Sequence, residues 1–433
     1  MTSPRLFSKQ ILPHVSENNL LDVKASCDIQ SEAFHELPAN INDFITEKRT
    51  IACESFEFLL QQRKRLYLAG YPDYETRYLA IVESQLSCLT DVLVELHAYH
   101  PGALYCLAES HPDILAWTVL RQGFGCDLYS PSFLGLIALA NIEDIELAKM
   151  IALNCKASDF DVILASLIEN EATNSDLYFD YLVSRQAVSL ELITHWLDSA
   201  KLPSHKLLPI LALSNKKRGK VWLDQNYEKY DLIFEKLVVT DEAKNFLSNR
   251  IRDEEEHEET SLSTYFAFWP RAELMVPDMS KPRSYLPLIL LGDTNCIPDA
   301  IEQMESSTEK DKWLQALYVM YGAALPIQPK DYIDEPVWDE VFGILYQWID
   351  SGLYLCDKPI RLNRQLNFES SLMVLRDPYI DCELRTWIWR QLCVRSRMYF
   401  YWHPLLPKSQ QDKVFSNLVA SGVGQDRFGL AEV

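Results

Sequence analysis

The chain has 433 residues, of which 48% are hydrophobic and 11% are aromatic. This composition supports a packed core and excludes a disordered protein. A formal net charge of −21 disfavours binding to nucleic acid, because phosphates attract a basic surface. Only 13 glycines are present, which disfavours a turn-rich β fold and favours an all-α fold.

The sequence carries no pattern that directs it to a membrane or out of the cell. The N-terminal residues show no basic stretch followed by an apolar one, and no segment reaches the roughly 18 to 20 apolar residues of a membrane span. The ten cysteines are scattered without a C-x-x-C pair. We therefore expect reduced thiols, a cytoplasmic location and no membrane association.

The N-terminal hundred residues predict one irregular segment and two long helices. Residues 1–45 lack a sustained apolar period, so we expect an irregular arm. A charged helix is predicted over 43–68, with an apolar side formed by Ile45, Ile51, Phe56, Leu59 and Leu60. Over 74–99, apolar residues alternate steps of three and four, as in a coiled coil. We favour a helix packed on its neighbours, because the pattern stops at His100-Pro101-Gly102.

Between residues 112 and 215 the sequence predicts a series of short helices. Helix starts are indicated at Pro112, Pro131 and Pro203. Further helices are predicted to begin at serine N-caps, namely Ser158, Ser175 and Ser189. Helices of about 10 to 15 residues with short polar breaks are typical of stacked helical hairpins.

Residues 284–304 give the most specific prediction of architecture. An apolar block ends at Gly292, which readily adopts the left-handed conformation that terminates a helix. Asp293 or Thr294 then caps a second helix, in which Ile297, Ile301 and Met304 recur at helical spacing. A helix, a Gly292-Asp293 turn and a second helix form one unit of a HEAT-like solenoid.

Later elements complete the predicted division of the chain. The acidic run 253–259 is interpreted as a solvated helix end or an exposed linker rather than a cation site. Amphipathic helices are predicted over 309–321, 335–349, 367–375 and 382–394, followed by a frayed tail after residue 417. We divide the chain into an N-terminal arm and helix (1–70), degenerate helical hairpins (71–260), a HEAT-like repeat region (261–330) and a C-terminal helical region (331–433).

No pattern in the sequence indicates catalysis. Phosphate-binding, dinucleotide-binding, nucleophile-elbow and H-E-x-x-H patterns are all missing from it. His97, His100 and His111 are close in sequence, but we interpret them as capping a helix C-terminus rather than binding a metal. We therefore expect a protein that is not an enzyme, with no catalytic, cofactor-binding or metal-binding residues and no cofactor.

Aromatic and basic residues near the C-terminus suggest a protein interface. Seven of the ten tryptophans lie from Trp269 onward, and basic residues outnumber acidic ones over 358–397. Arg385 and Trp389, four residues apart, share a helix face turned away from the apolar positions, and such residues are enriched at interfaces. Arg361 and Arg364 are expected to attract an acidic partner. The alternative is a partly buried Trp389 that stacks with Arg385.

Several stretches resemble one known family. They are VESQLSCLTDVLVELHAYHPGALYCLAE (82–109), LPLILLGDTNCIPDAIEQM (286–304), WLQALYVMYGAALPI (313–327), VWDEVFGILYQWIDSG (337–352) and RLNRQLNFESSLMVLRDP (361–378). Their order resembles that of the HEAT-like repeat family of uncharacterised bacterial proteins, often encoded beside type VI secretion spike genes. The resemblance implies an α-solenoid and a cytosolic adaptor or chaperone that holds an effector or spike-tip protein before loading. It implies no catalytic residues.

Two other functions stay open on the sequence. The first is an enzyme whose pocket carries no recognisable motif. The second is a HEAT-like protein that binds nucleic acid, which the basic stretch 358–397 favours and the net charge of −21 opposes. Another protein is the expected partner, and the sequence makes no prediction about self-association.

Overall fold

The structure is a computed structural model that describes residues 15–68, 78–122, 131–240, 243–253, 264–269, 283–328, 336–377 and 379–430. Of the residues it describes, 76% lie in helices, which confirms the predicted all-α fold. Residues 254–259 of the acidic run and Cys126 lie outside the described residues. The nine described cysteines are free thiols.

The described chain contains 23 α-helices and one short hairpin. The first twelve helices are α1 (Glu17–His35), α2 (Ala39–Leu68), α3 (Tyr78–Tyr99), α4 (Pro101–Tyr105), α5 (Leu107–Ser110), α6 (Pro112–Gln122), α7 (Pro131–Ala140), α8 (Ile145–Leu153), α9 (Phe160–Glu169), α10 (Ser175–Ser184), α11 (Leu190–Asp198) and α12 (Ser204–Ser214). They are followed by α13 (Lys216–Tyr230), α14 (Ile233–Val239), α15 (Ala243–Asp253), α16 (Tyr285–Leu291), α17 (Ile297–Ser306), α18 (Lys310–Tyr321), α19 (Trp338–Asp350), β1 (Ile360–Arg361), β2 (Arg364–Gln365), α20 (Phe368–Arg376), α21 (Cys382–Ser396), α22 (Lys408–Ser421) and α23 (Val423–Leu430).

Contacts divide the chain into two compact units. Unit 1 takes its described residues from Met1–Tyr67, Arg77–Leu211 and His403–Pro407. Unit 2 takes its described residues from Leu68–Thr76, Ala212–Trp402 and Lys408–Val433. The boundaries predicted near residues 70, 260 and 330 stay predictions, since this division is coarser and interrupted along the sequence.

Unit 1 contains the stacked helical hairpins that the sequence predicts. Helix α6 packs on α7 and α8, α7 packs on α9, and α10 packs on α8 and α9. Contacts between alternate helices give two layers, with α6, α8 and α10 in one and α7 and α9 in the other.

Pro112 and Pro131 begin helices as predicted, and the Ser189 side chain accepts a hydrogen bond from the Leu192 N–H. The N-caps of α9 and α10 are Asp159 and Asn174, so the prediction of Ser158 and Ser175 was wrong by one residue in each case.

The described residues near both ends of the chain are more regular than the sequence suggested. The predicted irregular arm contains α1, where the Ser16 N–H donates to Asn19 Oδ1 at 3.0 Å. Only Val23, Cys27 and Phe34 of α1 are buried, which is too sparse a set to form a visible period. The predicted frayed tail begins after residue 417 and contains the end of α22 and all of α23. Its Phe428 packs in the core of unit 2 and is 2% exposed.

The Gly292 turn is confirmed in unit 2. Gly292 ends α16 in the left-handed conformation, with φ 68° and ψ 19°. Asp293 then accepts a hydrogen bond from the Asn295 N–H, which caps a short 3-10 turn leading into α17. The Ile360 N–H of β1 donates to the Gly292 carbonyl at 2.9 Å. A Cβ at position 292 would lie 2.5 Å from the Ile360 carbonyl oxygen, so the close approach of β1 also requires glycine.

We predict that Gly292→Ala costs more stability than Gly352→Ala. Both glycines have left-handed φ values, 68° and 70°, but a Cβ at Gly352 meets nothing within 4 Å. Gly352→Ala should therefore lower the free energy of unfolding by about 1 kcal/mol, and Gly292→Ala by at least about 2 kcal/mol. Chemical denaturation measures both, and equal losses would contradict the close approach of β1.

Candidate functional site

Arg361, predicted as an interface residue, is a fully buried side chain at 0% exposure. Its guanidinium donates to Ser371 Oγ at 2.5 Å, to the Ile289 carbonyl at 2.8 Å and to Gln391 Oε1 at 3.0 Å. These three acceptors lie on α20, α16 and α21. The interface prediction for Arg361 was therefore wrong, because the side chain ties three helices together inside unit 2.

Neutral oxygens hold the Arg361 charge in the core. Burial, and after it the like charge of Arg395, lowers the pKa of the Arg361 guanidinium to about 9, so it stays protonated at neutral pH. The Ile289 carbonyl lies at the C-terminal end of α16, where backbone carbonyls carry partial negative charge. Gln391 Nε2 donates to the carbonyls of Ala267, Phe268 and Leu290 at 3.2, 3.1 and 2.9 Å. Together Arg361 and Gln391 donate hydrogen bonds to four backbone carbonyls, and buried polar groups require such partners.

Arg385 and Trp389 also belong to the interior of unit 2. Arg385 is 5% exposed, and its guanidinium lies 5.9 Å from the ring centroid of Trp402. Trp389 is half-buried and donates its indole N–H to the Phe400 carbonyl at 2.9 Å. Its ring contacts Phe234, with centroids 5.3 Å apart. The prediction of an exposed Arg385–Trp389 face was wrong, because α21 packs against several helices at once.

Arg364 is the one predicted interface residue that the structure leaves exposed. It lies on β2, and β2 pairs antiparallel with β1 through Arg361 and Arg364. The two arginines of one hairpin therefore occupy opposite environments, and Arg364 stays a surface candidate.

We predict that Arg361→Lys destabilises the fold while Arg364→Lys does not. A single ammonium cannot reproduce the planar fork that reaches Ser371, Ile289 and Gln391. The loss in free energy of unfolding should be about 2–3 kcal/mol for Arg361→Lys and within about 0.5 kcal/mol of zero for Arg364→Lys. Denaturant titration of the two variants checks this, and a neutral Arg361→Lys would remove the structural role.

The predicted histidine group is held by separate local contacts. His97 Nε2 lies 3.2 Å from the Tyr105 hydroxyl, and His111 Nδ1 lies 3.9 Å from a Glu57 oxygen. His100 is the N-cap of α4 and accepts a backbone hydrogen bond from Ala103. Within the described ranges no three His, Cys, Asp or Glu side chains are grouped so that they could hold a metal ion.

A Glu169–His195 pair is the contact in unit 1 that most resembles part of a catalytic arrangement. His195 Nε2 lies 3.0 Å from Glu169 Oε1, and the Trp196 indole N–H donates to Glu169 Oε2 at 3.0 Å. Burial alone would raise the pKa of the Glu169 carboxyl, but these hydrogen bonds lower it overall. The cluster joins α9 to α11, and we interpret it as a structural contact.

Three large apolar residues of α2 are exposed and form a stripe along this helix. Phe44, Ile51 and Phe58 are 61%, 54% and 57% exposed. They follow one another at intervals of seven residues and therefore share one side of the helix. We call these three residues the α2 face. The sequence prediction that placed Ile51 on the buried side of this helix was wrong.

The opposite side of α2 fixes which way the α2 face points. Arg63 is 1% exposed, and it donates to Glu83 Oε1 at 2.7 Å and to Asn154 Oδ1 at 3.1 Å. Its guanidinium also lies 4.6 Å from the ring centroid of Tyr67 and 5.2 Å from that of Trp117. The buried residues of α2 are Ala52, Cys53, Phe56, Leu59, Leu60, Arg63, Leu66 and Tyr67. A rotation of α2 would expose this side and break the Arg63 contacts.

Unit 2 also exposes apolar side chains within a short segment. Leu353, Leu355 and Ile344 are 76%, 54% and 44% exposed, and Val337 is 61% exposed. Ile344 lies on α19, Val337 immediately precedes this helix, and Leu353 and Leu355 follow its end by three and five residues. Each unit therefore presents apolar surface to solvent.

The α2 face was not predicted from the sequence, because tryptophan and arginine are the residues most enriched at interfaces and this face contains neither. The heptad spacing of Phe44, Ile51 and Phe58 was visible in the sequence. That spacing cannot separate a buried stripe from an exposed one, since both use the same apolar residue types.

The fold and the exposed faces define a class of protein, namely an all-α protein of stacked helical hairpins. No protein-family model, no curated protein and no solved structure matches the chain. None of the helices in the described ranges is long and apolar enough to cross a membrane.

Proposed function

We propose that the chain is a protein-binding scaffold and not an enzyme, and that it acts as a cytosolic adaptor or chaperone of type VI secretion. In this role it holds an effector or spike-tip protein before loading. The α2 face is the observation that supports protein binding. The resemblance of the sequence to a family encoded beside type VI secretion genes supports a role in that system.

The α2 face has the properties of a binding surface. Contiguous exposed apolar residues on a folded protein commonly mark interaction sites. Each of Phe44, Ile51 and Phe58 still exposes more than half of its surface, so a partner that covers them gains most of their burial energy. Full burial of such a side chain contributes about 1.5–3 kcal/mol, which makes three of them a sufficient centre for an interface.

The second exposed segment supports an adaptor rather than a single-site binder. Val337, Ile344, Leu353 and Leu355 belong to unit 2, whereas the α2 face belongs to unit 1. An adaptor needs two contacts, one for the cargo and one for the component that receives it. Exposed apolar residues on each unit meet that requirement.

We predict that the double variant Phe44→Ser with Phe58→Ser loses binding to a protein encoded beside this chain's gene. Both side chains are more than half exposed, so the thermal unfolding of the variant should stay close to that of the wild type. Purified effector and spike-tip proteins from neighbouring genes are tested one by one by size-exclusion chromatography. At least one should co-elute with the wild type, and the variant should bind it at least about tenfold more weakly.

A matched control removes two exposed apolar side chains elsewhere. Ile145 and Val221 are 69% and 54% exposed, so Ile145→Ser with Val221→Ser makes a comparable surface change. This control should keep wild-type binding. The proposal fails if no neighbouring effector or spike-tip protein binds the wild type.

A further inference from the structure

Resting on the proposed function, we infer that the α2 face binds an amphipathic helix of the partner whose apolar stripe is bordered by lysine or arginine on one side. The charges beside the α2 face and the spacing of its three apolar residues point to this occupant.

Carboxylates border one side of the α2 face. Asp43, Glu47 and Glu54 are exposed and follow one another at intervals of four and seven residues. Glu57 is also exposed and follows Glu54 by three residues. Residues at these intervals lie along one side of a helix. We call these four residues the acidic flank, and it runs beside the α2 face for the full length of the stripe.

Existing partners leave most of the acidic flank available. Glu47 pairs with Lys48 at 3.4 Å, but both side chains are at least half exposed, and such surface pairs contribute little. Glu57 lies 3.9 Å from His111. A partner that brings lysine or arginine to this side therefore gains favourable electrostatic contacts while it covers Phe44, Ile51 and Phe58.

The spacing of the α2 face matches a helix. A heptad advances about 10.5 Å along a helix axis, so the three apolar side chains form a straight row about 21 Å long. A second helix with apolar residues at alternate steps of three and four presents a row of the same repeat. Helix-on-helix recognition of this kind uses apolar anchors for affinity and flanking charges for choice of partner.

A second copy of this chain fits the surface less well. In an antiparallel two-fold pair centred on Ile51, the symmetry axis places the acidic flanks of both copies on the same side of the contact. Glu47 of one copy then lies at the level of residue 55 of the other, beside its Glu54. Like charges brought together in this way oppose association. Each copy also carries a net charge of −21, which adds repulsion between copies.

Three designed peptides test the inference by fluorescence anisotropy on the full chain. The first is an amphipathic helix of about 20 residues with leucine at the heptad core positions and lysine beside them. The second replaces every lysine by glutamate. The third keeps the composition of the first in scrambled order, so that it has the same charge but no apolar stripe.

The expected result is selective binding of the lysine peptide. It should bind the wild type at least about tenfold more tightly than either other peptide, and added salt should weaken it. Phe44→Ser with Phe58→Ser should reduce this binding at least about tenfold. Glu47→Lys with Glu54→Lys should reverse the preference toward the glutamate peptide, and Ile145→Ser with Val221→Ser should change nothing.

Several results would overturn the inference. Equal binding of the scrambled peptide would mean that charge alone attracts the probe, and equal binding of the glutamate peptide would remove the role of the acidic flank. Self-association of the chain that Phe44→Ser with Phe58→Ser abolishes would assign the face to a second copy.

The two proposals can fail separately. If a neighbouring secretion protein binds through the α2 face but the lysine peptide does not, the occupant is wrong and the function stands. If the peptide binds and no neighbouring protein does, the function is wrong and the occupant stands.

Discussion

The position of the α2 face depends on one buried cation, Arg63. Its guanidinium donates hydrogen bonds to Glu83 and Asn154 and lies near the rings of Tyr67 and Trp117. A buried charge is stable only where such contacts surround it, so α2 has one favoured rotation about its axis. That rotation turns Phe44, Ile51 and Phe58 to solvent. An interior polar contact thereby determines an exterior apolar surface.

Unit 2 also buries arginine side chains, and their burial removes positive charge from its surface. Arg361, Arg385 and Arg395 are 0%, 5% and 1% exposed, so the basic stretch 358–397 places much of its charge inside. The basic stretch 358–397 therefore gives less support to a nucleic-acid partner than its number of basic residues suggested. Carboxylates such as Glu47 and Glu54 remain outside, and the charge of the surface favours basic partners.

The predictable part of the fold rests on local interactions. Pro112, Pro131 and Ser189 begin helices for reasons contained in one turn of backbone, and Gly292 terminates a helix for a reason contained in its own φ angle. The burial of Arg361 could not be predicted, because its acceptors come from residues 289, 371 and 391. The exposure of Phe44 and Phe58 was hidden for the same reason: apolar spacing places residues on one side of a helix, and tertiary packing decides which side is covered.

Site-specific photocrosslinking in cells tests most directly whether the α2 face is a protein-binding surface. A photoreactive phenylalanine analogue is placed in turn at Phe44, Phe58 and Ile145, all of which are more than half exposed. The account predicts that positions 44 and 58 crosslink to the same protein, a type VI secretion effector or spike-tip component, and that position 145 does not. No crosslink at 44 and 58, or the same products at all three positions, would contradict it.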